Sequence, residues 1–445
     1  MKPIDLTKGK VWKVLITLAV PLMGSSLLQF TYNLVDTLFV GRLGSDSVAS
    51  VGSSSFFIGL GYSLNALVVI GTGIKVAHAI GKREDEEVRG YIHAGIGINF
   101  ILGVLYMLFL IGFGKGLIGF LDLGSEVIER ESYLYLAWSA PMLFFSFFNT
   151  LFARILSSSG NTKMPLKISM IGIVLNIILD PILIYGLKWG VVGAAVATLI
   201  AQVIMFVAYI HFGKEILALN DWTIIDTQMK GRVKEIFALG FPTAFQRILF
   251  TLVNIIMAKM IVTFGTDAIA AQRIGLQIES VVYMVTGGLN GAMASFVGQN
   301  YGARKTQRIY RGYQVAIGIG IGYALVSALG FWIFPEMLAE CFVSDLNTIN
   351  ITAGYLRIIA YSQFFNAIEM VSTGLFIGIG KPRIPATVSV MFTVLRIPVA
   401  WFVIKNLGLE GIWWTISIST ILKGSTLYSL YQIKTKKRIL SQLGE

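Results

Sequence analysis

The chain has 445 residues, 55% of them hydrophobic and only 13% charged, with a formal net charge of +12. Soluble domains sit near about 45–50% apolar and roughly 25% charged, so composition excludes a water-soluble fold. The basic residues are spread through alternate connecting segments rather than gathered in one patch with interleaved aromatics, which excludes a nucleic-acid interface.

A membrane-crossing helix needs about 20 mostly apolar residues. The first such run, 13–40, carries Pro21 and, later, Asp36 within Tyr32-Asn33-Leu34-Val35-Asp36-Thr37. It is too long for a signal peptide and lacks a small-residue cleavage site before the next span, so it is expected to stay in the protein. A proline inside a helix cannot donate to the carbonyl four residues back and permits a kink, which makes Pro21 a candidate hinge. A carboxylate near the bilayer centre costs about 2.5–3.5 kcal/mol on insertion scales, so Asp36 marks a functional site unless it snorkels outward near Arg42.

Spans two to four are read at 47–74, 91–119 and 131–157, and span five at 165–186. Span five contains Asn176-Ile177-Ile178-Leu179-Asp180-Pro181, where Asn176 and Asp180 stand four apart on one helix face. The alternative for Asp180 is helix termination before Pro181 near the outer surface. In span six, 190–212, Ala194, Thr198 and Gln202 form an i, i+4, i+8 stripe. Two carboxylates, an amide, a hydroxyl and a freed carbonyl suit a hard cation or a proton relay. Asp36, Asn176, Asp180 and Thr198 are therefore candidates for binding Na⁺ or H⁺.

A polar connection, 213–234, leads to spans at 235–264, 268–298, 311–334, 351–378, 384–405 and 410–432. Glu279 and Glu369 are the acids within these spans; each is a candidate to attract a cationic substrate or to pair with Arg273, Arg357 or Arg396. The single cysteine, Cys341, cannot form an internal disulfide, and His78, His93 and His211 lack metal-ligand spacing. There is no Gly-x-x-x-x-Gly-Lys-Ser/Thr string and no catalytic constellation, so neither an ATP-driven pump of that kind nor an enzyme is expected, and no cofactor beyond a coupling ion. Strands of a barrel would appear as alternating segments of about ten residues, which are missing. The 47 glycines suit close helix packing in a bundle.

The chain repeats itself. Leu18-Ala19-Val20-Pro21 matches Leu239-Gly240-Phe241-Pro242, Gly44-Ser45-Asp46 matches Gly265-Thr266-Asp267, and Gly81-Lys82-Arg83 matches Gly302-Ala303-Arg304, all 221 residues apart. Gly160-Asn161-Thr162 matches Gly380-Lys381-Pro382 at 220. The expected fold class is thus an all-α polytopic membrane protein, twelve transmembrane helices in two six-helix lobes related by a pseudo-twofold axis along the membrane normal. The expected division is an N-terminal lobe over 1–212, a cytoplasmic linker over 213–234, and a C-terminal lobe with a basic tail over 235–445. Lys8, Lys10, Lys82, Arg83, Lys163, Arg304, Lys305, Arg308 and the tail lysines fall on one side of the membrane, which puts both termini in the cytoplasm. The position matching Asp36 is Met257, and nothing replaces Asp180, so the coupling chemistry belongs to the first half.

Taken together, the duplication, Pro21, Val35-Asp36-Thr37-Leu38-Phe39-Val40-Gly41, Ser159-Gly160-Asn161-Thr162 and Asn176-Ile177-Ile178-Leu179-Asp180-Pro181 resemble the multidrug and toxic compound extrusion (MATE) family over almost the whole chain. The resemblance implies a V-shaped pair of lobes in the cytoplasmic (inner) membrane and export of small amphipathic or cationic compounds in exchange for Na⁺ or H⁺, with no nucleic-acid partner and a monomer as the working unit. It implies an N-lobe cation site of Asp36, Asn176, Asp180 and Thr198 with the Ala194 carbonyl, and Gln29 and Tyr135 as neighbours. Asn366 stands near the place where the NorM branch has a span-ten aspartate, which favours the DinF-like branch. A lipid-linked precursor flippase of the same superfamily is the alternative; Lys75, Arg247, Lys259, Arg273, Arg357 and Arg396 would furnish its basic cavity.

Overall fold

The structure, a computed structural model, describes residues 5–219 and 228–435, with only the backbone of 434 and 435. Part of the expected linker and the tail residues Lys436, Lys437 and Arg438 lie outside the described residues, as does Lys2. The described chain is helical throughout: α1 (Val11–Gly41), α2 (Ser45–Lys82), α3 (Asp85–Phe120), α4 (Glu126–Ser158), α5 (Lys163–Pro181), α6 (Gly190–Gly213), α7 (Met229–Val262), α8 (Thr266–Gly302), α9 (Thr306–Ile333), a short α10 (Pro335–Glu340), α11 (Leu346–Gly378), α12 (Arg383–Val394) and α13 (Arg396–Leu430).

Ten helical segments among the described residues are long and apolar enough to cross a membrane. One of them, Arg383–Ile433, has 51 residues. As a single helix it would extend about 75 Å, more than twice the hydrocarbon thickness of about 30 Å. It breaks at Leu395, where Pro398 cannot bond back one turn, and again at Gly408, which adopts φ 57° and ψ −138°. The second break splits the segment into two crossings. The twelfth crossing is α11, whose Gln363, Asn366, Glu369 and Ser372 are buried against its neighbours. Polar side chains are tolerated there because they meet protein and not lipid.

The chain forms two compact units. Unit 1 comprises Met1–Asp5 and Gly24–Ala244, and unit 2 comprises Leu6–Met23 and Phe245–Glu445. In unit 1, α4 packs against α2, α3 and α6; in unit 2, α11 packs against α8, α9 and α13. The repeat extends to backbone conformation. Gly44 and Gly265 have φ of 118° and 103°, Arg83 and Arg304 have 63° and 56°, and Gly160 and Gly380 have 85° and 76°. Each pair sits at a matching position of the two halves, so the same turns are built twice, two of them with the residue that enters left-handed space without penalty.

The first turns of α7 belong to unit 1 and are held there by charge and by backbone contact. Arg232 pairs with Glu87 at 2.9 Å and Lys75 with Glu235 at 2.7 Å, and Tyr91 donates a hydrogen bond to Glu235. A methyl group on Gly240 would stand 1.7 Å from the Leu67 carbonyl oxygen, so α7 and α2 touch through main chain. In unit 2, Arg308 donates to the carbonyls of Leu6, Lys8 and Gly9, and Lys305 to that of Thr7, fastening the segment before α1.

Candidate functional site

The expected cation ligands of unit 1 come together around the end of α5. Pro181 lacks the N–H that would close the helix onto Ile177, and the chain continues as a π-helical turn, Ile182–Gly186, with Leu187 N–H bonding to the Ile182 carbonyl at 2.9 Å. This turn is fixed from two sides. Tyr185 donates its hydroxyl to the Phe39 carbonyl of α1 at 2.5 Å, and Gly193 of α6 lies against the Leu183 backbone, where a methyl group would come within 2.8 Å. Asp180, just before the turn, is completely buried and does not end its helix at the surface.

Asn176, one turn earlier, is 1% exposed and holds Asp180. With its amide oriented so that nitrogen faces the carboxylate, Nδ2 donates to Asp180 Oδ2 at 2.9 Å and Oδ1 accepts from the Thr198 backbone N–H at 3.2 Å. The reverse orientation would set an amide oxygen against a carboxylate oxygen, two acceptors face to face. Thr198 donates its hydroxyl to the Ala194 carbonyl at 3.0 Å, which leaves Tyr32 as donor in the 3.0 Å contact between the two hydroxyls. Asp36, one turn beyond Tyr32 on α1, is within electrostatic reach of Asp180, Tyr32 and Tyr135. Tyr135 is 8% exposed and packs in a small cluster with Val40, Ile184, Val191 and Ala194.

Two carboxylate oxygens, Asp36 Oδ1 and Asp180 Oδ1, are buried without a hydrogen-bond partner. Neither acid has a cationic side chain paired with it among the described residues. Unused acceptors of this kind fit a proton or an oxygen-seeking cation such as Na⁺. Three-residue groups of His, Cys, Asp or Glu that would hold a transition metal are missing among the described residues.

Beside these acids lies a small open cleft, lined among others by Gln29, Tyr32, Asn176, Thr198, Gln202 and Met205. Gln29 donates to Asn33 at 3.3 Å. Gln202 accepts from Asn149 Nδ2 at 2.7 Å through its side-chain oxygen and at 2.9 Å through its carbonyl, so its own amide N–H groups are turned away from Asn149. The sequence reading singled out Gln29, Asn176, Thr198 and Gln202, and they share this cleft; Asp36, Asp180 and Tyr135 do not line it. It missed Tyr32, Asn149 and Tyr185. Tyr32 alone carried a local signal, standing four residues before Asp36.

Unit 2 holds acids of another kind. Glu279 accepts from Tyr355 at 2.6 Å and from Gln363 at 3.3 Å. Glu369 faces Lys423 at 3.8 Å, a partner the sequence reading did not weigh. Arg396 bonds Ser419 and Thr420, while Arg357 pairs with Glu336 at 2.5 Å.

The family model described as MatE matches residues 21–182 and 242–402, two stretches that begin at Pro21 and Pro242. The chain belongs to the MatE family. It is 28% identical to a probable multidrug resistance protein NorM of Thermotoga maritima, over 96% of this chain and 93% of that one. It is 25% identical to the multidrug export protein MepA of Staphylococcus aureus, over 93% and 92%. Its fold is that of the Vibrio cholerae MATE transporter VcmN, with a TM-score of 0.87, 24% identity, and 95% of this chain and 96% of that chain covered. This family member is accordingly a multi-pass membrane transport protein and not an enzyme.

Proposed function

We propose that the protein exports small amphipathic or cationic compounds across the cytoplasmic membrane, with both termini in the cytoplasm, in exchange for H⁺ or Na⁺ taken up at Asp36 and Asp180. The observation that carries this reading is the pair of buried carboxylate oxygens without donors, Asp36 Oδ1 and Asp180 Oδ1, one on α1 and one on α5. An ionised acid without a partner in the bilayer is costly, so each is driven to take up a proton or a cation whenever the site is reachable from one side. Binding between them draws α1 toward α5. Pro21 provides the place where α1 can bend in response. Gln29, Gln202 and Tyr135 then belong to the substrate side of the same lobe, and a change in α1 alters the space they bound.

The flippase alternative asks for free basic side chains. Two of the residues that would supply them, Lys75 and Arg357, are engaged with Glu235 and Glu336. That favours the exporter.

The test is transport of a fluorescent organic cation by purified protein in liposomes, with Na⁺ and H⁺ gradients imposed separately, for the native chain and for Asp36→Asn and Asp180→Asn. One gradient should drive transport, and both variants should fall to the level of empty liposomes while remaining inserted. Full activity in either variant, or transport that responds to neither gradient, would overturn the proposal.

A further inference from the structure

We propose that unit 2 contains a second polar site that takes a zwitterionic organic solute, its carboxylate on Arg396 and Lys423 and its ammonium group on Glu369. The site is made of four buried ionisable side chains from different parts of the unit: Glu279 of α8, Glu369 of α11, and Arg396 and Lys423 from the two arms of α13. Their exposures are 4%, 8%, 6% and 5%.

Charges at such depth persist only with good partners, and here the partnering is incomplete. Lys423 has one ionic partner among the described residues, Glu369 at 3.8 Å, beyond hydrogen-bonding length. The Lys75–Glu235 pair of unit 1, at 2.7 Å, shows what a closed bond of this type looks like in the same molecule. Arg396 carries five N–H donors but reaches two hydroxyls, Ser419 at 2.6 Å and Thr420 at 3.5 Å, and no carboxylate, although Glu279 and Glu369 are within electrostatic reach. A network serving only to clamp helices would close these bonds on one another.

Two further atoms have the same character. Gln363 Oε1 is a buried acceptor and Asn366 Nδ2 a buried donor, both without partners, on residues 2% exposed. Gln363, Asn366 and Glu369 follow at intervals of three along α11 and share a face. The site therefore offers two cations short of acceptors, one acid short of donors, and a spare amide group of each polarity.

Charge balance selects the ligand class. The four groups sum to zero, and a lone cation or anion would leave a net charge in a low-dielectric interior, whereas a zwitterion enters with none. The aromatic pair Tyr355–Trp413, with ring centroids 4.9 Å apart, adjoins Glu279 through the Tyr355 hydroxyl and supplies an intrinsic fluorophore.

Calling the solute cargo rests on the export reading above, but binding does not, so the experiment uses no ion gradient. Purified full-length protein in lipid nanodiscs is titrated with Nε-dansyl-lysine, with its methyl ester, a cation, and with its Nα-acetyl derivative, an anion, following energy transfer from tryptophan. The zwitterion is expected to bind at least tenfold more tightly than either singly charged form. Lys423→Met should abolish that preference, Lys423→Arg should keep it, and Asp180→Asn should not touch it. Equal binding of the three forms to the native protein overturns the proposal without need of any variant. So does a preference that survives in the neutral pair Lys423→Met/Glu369→Gln, which serves if Lys423→Met alone does not fold. Loss of gradient-driven transport with the zwitterion preference intact would refute the coupling scheme and leave this site standing.

Discussion

Unit 1 and unit 2 share turns, helix order and a buried central helix, yet they treat buried charge in opposite ways. In unit 1, Asp180 is held by the neutral Asn176 amide, and Asp36 and Asp180 each keep an oxygen without a donor. In unit 2, Glu279 and Glu369 share their interior with Arg396 and Lys423. The difference teaches that duplication fixes the backbone and leaves the chemistry free. Left-handed turns recur because helices that cross a bilayer of one thickness must reverse at the same points. Interior side chains diverge because α4 and α11 present polar groups to protein rather than to lipid, and any self-consistent set is allowed there.

The sharpest way to break this comparison is to remove one acid from each unit. Asp180→Asn should abolish coupled transport yet leave thermal stability equal or higher, since a buried acid with one oxygen lacking a donor is replaced by a neutral amide. Glu369→Gln strands Lys423 and should lower stability by about 3–5 kcal/mol, the cost of leaving one partner of a buried pair alone. Denaturation followed by fluorescence in detergent reads both. If Asp180→Asn is the more destabilising of the two, the contrast between the units is wrong.

A double change sharpens it. Glu369→Leu with Lys423→Met should recover most of the loss, because replacing both members of a buried pair by apolar residues is often close to neutral. Failure to recover would mean that the pair does more than compensate charge.

A smaller effect separates the first helices of the two sequence repeats. Gly240 in α7 and Ala19 in α1 occupy matching positions, and at Gly240 a methyl group would meet main chain, 1.7 Å from the Leu67 oxygen. Gly240→Ala should cost about 1–3 kcal/mol through overpacking. Ala19→Gly should cost about 1 kcal/mol from helix propensity, plus any packing lost. Equal and negligible losses would show that the α2–α7 contact is looser than its geometry.

The smallest effect lies in the loop before α11. Asp345 caps that helix, accepting from Thr348 N–H at 2.8 Å and from the Thr348 hydroxyl at 2.8 Å, and these bonds hold its carboxyl below the ordinary value. A depressed folded value gives stabilisation that is complete above the unfolded value of about 3.9 and disappears as pH falls through the folded one. Asp345→Ala should therefore lower the melting temperature slightly at pH 7 and by less at pH 3. An equal loss at both would assign the cap's contribution to something other than the carboxylate.

Much of this could be read in advance, for identifiable reasons. Asn176 and Asp180 are one helical turn apart, Ala194, Thr198 and Gln202 follow the same period, and Pro181 announces a break, so their convergence is local information. The Tyr32–Thr198 contact joins residues 166 apart, and Asn149 reaches Gln202 from 53 residues away. No helical period links such pairs. Lys423 was passed over in its apolar span, and its pairing with Glu369 depended on how α13 folds back at Gly408.

By itself the sequence determined the class, the duplicated plan and the polar faces of α5 and α6, because apolar run length and the 3.6-residue period act within one helix. Tertiary structure alone decided which acids stay unpartnered and which meet cations. That choice depends on what neighbouring helices bring within about 3–4 Å, a distance at which low dielectric makes a partner, or its absence, decisive.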